Sequence, residues 1–313
     1  MRDRLGRAVT IALLSLLSAQ PSSVRAAEPA LPRLTLADVV AAFDQAILQG
    51  QSRVSKWPIE RALRIKVTAA FGAAETQALN DAIQMIDRQT RLTVRRIDSA
   101  GEAEITVELT DGLGSRGGGI HNVGRTHSSY ASASGEMQTV TISIARDWAR
   151  RDSKLIHRTL PHEMLHAAGF HGHTPDGFDS VMGVFGGSFV PTAWDFLFLK
   201  VLYDERLPLG TPRVFALPIV CTLLHERLVA ERNASIADLG SGGAHPHCAD
   251  LATRPVVANA ESERVSIAWA YLNGLGVARD LDEADRWARQ SKARGDRDAD
   301  YILYSIGRAK LQQ

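Results

Sequence analysis

Residues 162–166 read His-Glu-Met-Leu-His. On a helix, side chains four apart stack on one face, so His162 and His166 can offer two imidazole nitrogens to one metal ion. Glu163 then projects beside that ion toward its open coordination position, where a carboxylate can take a proton from water. A pentapeptide of this kind also recurs by chance on solvent-exposed helix faces, and its surroundings narrow the reading. Pro161 stands just before it, and Leu155, Ile156, Leu160 and Leu165 give the segment the apolar character of a buried helix. Gly169, three residues after His166, is placed to end the helix with a left-handed residue. His171 and His173 follow at once, and either can supply a third ligand.

The run His162–His173, followed by Asp179-Ser180-Val181-Met182, resembles the metzincin clan of zinc metalloproteases. In that clan a His-Glu-x-x-His-x-x-Gly helix gives way to a third histidine, and a tight methionine-bearing turn underlies the metal. The resemblance implies His162 and His166 as ligands of one Zn2+ ion, Glu163 as general base, Gly169 as the turn glycine and Met182 as the turn methionine. The usual third histidine falls three residues after the glycine, and here that position is Gly172. His171 is one residue early and His173 one late. His173 is favoured, because the Phe170–Gly172 loop can carry the extra residue and Gly172 gives it freedom; His171 is the alternative. The clan's frequent tyrosine, two residues after the methionine, is replaced by Val184. Lys56-Trp57 and Leu202-Tyr203-Asp204-Glu205-Arg206-Leu207 also look like parts of a bacterial metzincin-related family, over roughly residues 50–230. The activity implied is that of a zinc metalloendopeptidase acting on protein or peptide substrates.

Elements able to position these residues can be read on both sides. Leu36 to Leu48 has helical spacing behind a Thr35 cap, and Ala73 to Arg88 is helical, with Ala78, Ile83, Met85 and Ile86 available for burial. Leu63 to Thr68, Leu92 to Ile97, Glu104 to Leu109 and Val140 to Ile144 read as strands. Residues 111–135, rich in Gly and Ser, are loop or edge strand, and His121 and His127 within them read as solvated loop side chains. Leu155 to Ala168 is the helix that carries the pentapeptide, and 170–191 is loop. Thr192–Tyr203 and Thr211–Arg232 are further helices. Asp179 is expected to orient the Met182 turn through backbone hydrogen bonds. The fold class is α+β, a metzincin-like mixed sheet plus an active-site helix, spanning 32–232.

After a small-residue linker at 233–256, residues 257–313 are helical. Tyr271, Gly274, Gly276, Val277, Asp280, Ala284 and Trp287 resemble the positions of a Sel-like repeat, a relative of the tetratricopeptide hairpin. One repeat and a half is too little to bury a core alone. The hairpin is therefore expected to lean on the Thr211–Arg232 helix, either as a fixed appendage or as a surface for a protein partner.

The basic start Met-Arg-Asp-Arg-Leu-Gly-Arg and the apolar stretch to Ala19 fit a signal peptide, residues 1–26, and so a secreted or periplasmic protein. That stretch is too short to span a membrane, and no later segment reaches spanning length. In an oxidising compartment the two cysteines, Cys221 and Cys248, can form a disulfide. Lys and Arg total 36 against 35 Asp and Glu, a formal charge of +1. A chain so close to neutral has no excess charge with which to bind nucleic acid. The rival function is a non-catalytic protein-binding module on a metzincin-like core.

Overall fold

Thr35 opens helix α1 (Leu36–Phe43) with a reciprocal cap: its hydroxyl accepts from the Asp38 N–H at 3.2 Å, and the Asp38 carboxylate accepts from the Thr35 N–H at 2.7 Å. The helix runs on into a π-helical turn, Asp44–Leu48, and the two pieces together bury Leu36, Val39, Phe43, Ile47 and Leu48. The computed structural model describes residues 33–97, 101–111, 113, 115–116, 120–121, 123–131, 134–146, 153–183, 187–233, 235–240, 243–256 and 261–312. The expected signal peptide and Val184 lie outside the described residues. Leu34–Gln313 cluster as one compact unit.

Strand β1 (Ala62–Val67) alternates, with Leu63 and Ile65 inward and Arg64 outward. Helix α2 (Ala73–Gln89) follows and buries Ala78, Leu79, Ala82, Ile83, Met85 and Ile86 at helical spacing. Next come β2 (Thr93–Ile97), β3 (Ile105–Thr110), a small antiparallel pair β4 (Ser115–Arg116) and β5 (Ile120–His121), then β6 (Gly124–Tyr130) and β7 (Met137–Ala145). Among the described residues the main sheet has five strands, in the order β2-β1-β3-β7-β6. The first four are parallel, and β6 runs antiparallel to β7 at the edge. The Gly/Ser-rich stretch therefore contains an edge strand.

Helix α3 (Ser153–Ala167) packs against α2, β6 and β7. Its inner face is Ile156, Leu160, Met164 and Ala167, all fully buried. Pro161 lies inside it and cannot donate to the His157 carbonyl. Thr192 and Asp195 form a second capping box on helix α4 (Ala193–Leu202). Helix α5 (Arg213–Ala230) is joined through the Cys221–Cys248 disulfide to helix α6 (Pro246–Thr253). The stretch read as linker thus holds a helix, started by Pro246 in the first turn and by the His245 side chain, which accepts from the His247 N–H.

Helices α7 (Glu261–Asn273), α8 (Leu281–Ala293) and α9 (Ala299–Lys310) close a smaller core of Ile267, Ala268, Ala284, Trp287 and Ile302, to which α5 contributes Phe215. Gly276, at φ +72°, lies so close to the start of α5 that a Cβ would meet Thr211 Cγ2, just before the helix, at 2.5 Å and Phe215 Cβ within it at 3.3 Å. Among the described residues, no helix is long and apolar enough to cross a membrane.

Candidate metal centre

Helix α3 ends where its last carbonyls find buried donors. Trp57 Nε1 donates to the Ala167 carbonyl at 2.7 Å, and the Tyr203 hydroxyl donates to that of Ala168 at 2.9 Å. Gly169 then takes φ +108°, and a Cβ there would meet the Ser55 carbonyl oxygen at 2.9 Å, so glycine is required both by conformation and by space. The turn carries the chain back under the helix. Gly172 contributes differently from the freedom expected of it. Its N–H donates to the Ala46 carbonyl at 2.9 Å, and a Cβ would collide with the Gln45 carbonyl oxygen, so the glycine allows a close approach to the π-helical turn.

This path brings His173 to His162 and His166. One ring nitrogen from each of the three lies within 4.8 Å of the others. Ring centroids are 4.9 Å apart for His162–His166, 5.2 Å for His162–His173 and 5.1 Å for His166–His173. The remaining nitrogens on α3 are held: His162 Nδ1 donates to the Val181 carbonyl at 2.8 Å, and His166 Nδ1 to the Phe170 carbonyl at 2.5 Å. A carbonyl acceptor requires an N–H at Nδ1, which leaves each Nε2 with a free lone pair. Burial lowers the His162 pKa to about 4, pushes His166 well below the usual imidazole range and lowers His173. All three rings are therefore neutral at pH 7, the form that ligates a cation.

His171 turns away from this trio. Its Nε2 lies 3.2 Å from the Ser55 carbonyl oxygen, and its Nδ1 lies 2.9 Å from the Tyr130 hydroxyl on β6. With Nε2–H donating to the carbonyl, Nδ1 accepts from the phenol, and both nitrogens are used.

The turn Ser180–Gly183 supplies the carbonyl that fixes His162, and Met182 within it is fully buried. Asp195, not Asp179, anchors this turn. The buried Asp195 carboxylate accepts from the Ser180 hydroxyl at 2.5 Å, from the Val181 N–H at 3.1 Å and from the Thr192 N–H at 2.7 Å. Asp179 contributes its backbone carbonyl, which accepts from the Thr192 hydroxyl at 2.8 Å. The reach of the Asp195 carboxylate back to Ser180 leaves no local mark in the sequence.

Glu163 is only 5% exposed. Its Oε2 accepts from the Thr126 hydroxyl of β6 at 2.6 Å. Burial pushes its carboxyl up to about 7, against the opposing pull of that hydrogen bond. A carboxylate poised near neutrality suits proton transfer in both directions. Thr126 carries no local signal in the sequence, since it lies among small polar residues with no hydrophobic alternation. Gly124 is needed beside it, since a Cβ there would meet Glu163 Oε1 at 2.6 Å.

The trio, Glu163 and Tyr130 line one open cleft of about 520 Å³ between α3 and β6. His127 also borders it, exposed on the strand and not in a loop. The side chain of His121 lies outside the described residues. His157 faces a separate cavity of about 380 Å³, with Pro161, Met85 and Phe196.

No family model matches this chain. No curated protein is detectably similar to it in sequence. Two solved structures described as myroilysin align with 51% and 56% of this chain and 98% of their own, at 14% and 16% identity. Their TM-scores of 0.34 and 0.33 are too low to establish a shared fold.

Proposed function

We propose that this chain is an exported zinc-dependent metalloendopeptidase of metzincin-like design, with His162, His166 and His173 as the ligands and Glu163 as the general base. The observation that carries this reading is the convergence, in one open cleft, of three neutral imidazoles and a buried carboxylate near pKa 7. The donor set fits a divalent cation: three nitrogens mutually within 4.8 Å, two of them on rings whose other nitrogen is already committed to a carbonyl. When bound there, zinc supplies Lewis acidity that polarises a carbonyl and eases deprotonation of water.

The chain's own groups do the rest. Glu163 takes the proton of the attacking water and passes it to the leaving amine nitrogen. Thr126 holds the carboxylate in place for both transfers. The outer edge of β6, unpaired among the described strands, offers a row of N–H and C=O groups to an extended peptide laid beside the cleft. The Cys221–Cys248 bond suits an oxidising compartment, in agreement with the signal-like first 26 residues. The α7–α9 helices, in our reading a Sel-like unit, leave Tyr301 and Tyr304 more than half exposed and available to a protein partner.

The test is hydrolysis of an unstructured protein or a quenched peptide by the zinc-loaded chain. Cleavage is expected to stop with a chelator and with Glu163→Gln, while Glu163→Gln keeps its metal. Metal-loaded protein that cleaves nothing would favour the non-catalytic binding module.

A further inference from the structure

The cleft carries positive charge that the peptidase reading leaves unused. Arg158 lies four residues before His162 on α3 and so projects from the same face into the same cleft. Its guanidinium is held on the cleft wall: Nη2 donates to the Gly183 carbonyl at 3.1 Å, and the head group lies 5.2 Å from the centre of the Phe189 ring. Phe189 itself is 60% exposed. Among the described residues, no carboxylate forms an ion pair with Arg158. Arg125, on β6 along the same cleft, likewise forms none. Among the described residues, the only carboxylate lining the cleft is that of Glu163, which is buried and bonded to Thr126. The Arg158 guanidinium thus has no acidic partner among the described residues, in a chain whose formal charge is only +1.

We infer that Arg158 is a specificity-determining residue that selects a substrate carboxylate. A guanidinium fixed by one carbonyl and one aromatic face keeps further N–H groups for a forked bond to a carboxylate, and it loses little rotamer freedom in making that bond. The substrate is a peptide bearing an Asp or Glu side chain close to the scissile bond, or one ending in a free C-terminal carboxylate nearby. Both sources present the same chemistry. This inference rests on the peptidase reading for the meaning of the cleft.

The experiment uses the zinc-loaded full chain and matched quenched peptides. Glu, Gln or Lys is placed at each position flanking the cleaved bond, with C-termini either free or amidated. The wild type is expected to favour the carboxylate over its neutral isostere by about 10-fold or more in kcat/KM. Preference for internal Glu marks an endopeptidase with an acidic subsite, and preference for the free terminus marks recognition of the chain end. Arg158→Gln is expected to bring the carboxylate-to-neutral ratio to near 1, Arg158→Lys to keep part of it, and Arg158→Glu to favour Lys peptides. A wild-type ratio near 1, a ratio unchanged in Arg158→Gln, or a ratio lost only in Arg125→Gln would overturn the assignment. Binding of the same peptides to metal-loaded Glu163→Gln, followed by fluorescence anisotropy, reads the preference without turnover. Carboxylate-selective binding without any hydrolysis would overturn the peptidase reading and leave the assignment standing; binding indifferent to the carboxylate would overturn the assignment alone.

Discussion

The Thr126 hydroxyl stands 2.6 Å from Oε2 of Glu163, so the edge strand holds the carboxylate of the metal-centre helix. This hydrogen bond favours the ionised carboxylate and opposes the rise that burial causes. Thr126→Val removes it while keeping the shape. The Glu163 pKa then rises further, and the acid limb of the pH–rate profile moves to higher pH. A loss of about 10-fold in kcat near neutrality is expected, with metal content unchanged. The readouts are the pH dependence of kcat and metal analysis of the same preparation; an unmoved acid limb would contradict this role for Thr126.

Asp195 ties the Ser180–Gly183 turn to α4, and the turn in turn holds His162 through the Val181 carbonyl. Asp195→Ala leaves a buried hydroxyl and several N–H groups without an acceptor. A cost of about 3 kcal/mol or more is expected in chemical denaturation, together with weaker metal retention. A variant as stable and as metal-rich as the wild type would exclude this chain of support.

The Cys221–Cys248 bond closes a loop with a sequence separation of 27. In the chain-entropy account, breaking it destabilises the native state by roughly 3–4 kcal/mol. The double Cys→Ser variant should unfold at lower denaturant concentration, and dithiothreitol should lower the wild type's midpoint while leaving the variant unchanged.

Glu104 is 5% exposed and carries a pH signature of its own. The Arg64 guanidinium holds it through two hydrogen bonds, at 2.8 and 3.1 Å, and its carboxyl is pulled down to about 2, with Arg61 adding a smaller share. Because the folded pKa lies below the unfolded one, this stabilisation is complete above about pH 4.5 and is lost as pH falls through about 2. Glu104→Gln should therefore cost roughly 1–3 kcal/mol near neutrality. Urea titrations from pH 6 downward should show the gap to wild type narrowing below pH 4.5. A gap that widens on acidification would refute the ion-pair account.

Much of the scaffold was written in local patterns. The Thr35 cap, the buried stripe Ala78-Ile83-Met85-Ile86 and the helix that stops at Gly169 are each set by neighbours within a few residues. The edge strand β6 is ambiguous in sequence because Thr126 and Ser128 alternate with Arg125, His127 and Ser129, so both faces are polar, as an exposed edge permits. The helix α6 has no local signature, because its buried face depends on one residue, Cys248, whose partner lies on another helix. Within the candidate site, His162, Glu163 and His166 share one helical turn and were visible together. The separation of His173 from His171 was decided at long range, by the Ser55 carbonyl and Tyr130 hydroxyl that engage His171 and by the backbone of Gln45 and Ala46 against which Gly172 packs. The reach of Thr126 and Asp195 to the site crosses the fold in the same way and leaves no local mark.

The central claim is that His162, His166 and His173 bind one metal ion. Elemental analysis of the purified chain beside His173→Ala and His171→Ala tests it most directly. The account predicts about one equivalent of zinc in the wild type, most of it retained in His171→Ala, and loss of nearly all of it in His173→Ala. Wild-type protein that takes up no metal, or zinc kept by His173→Ala and lost by His171→Ala, would contradict it.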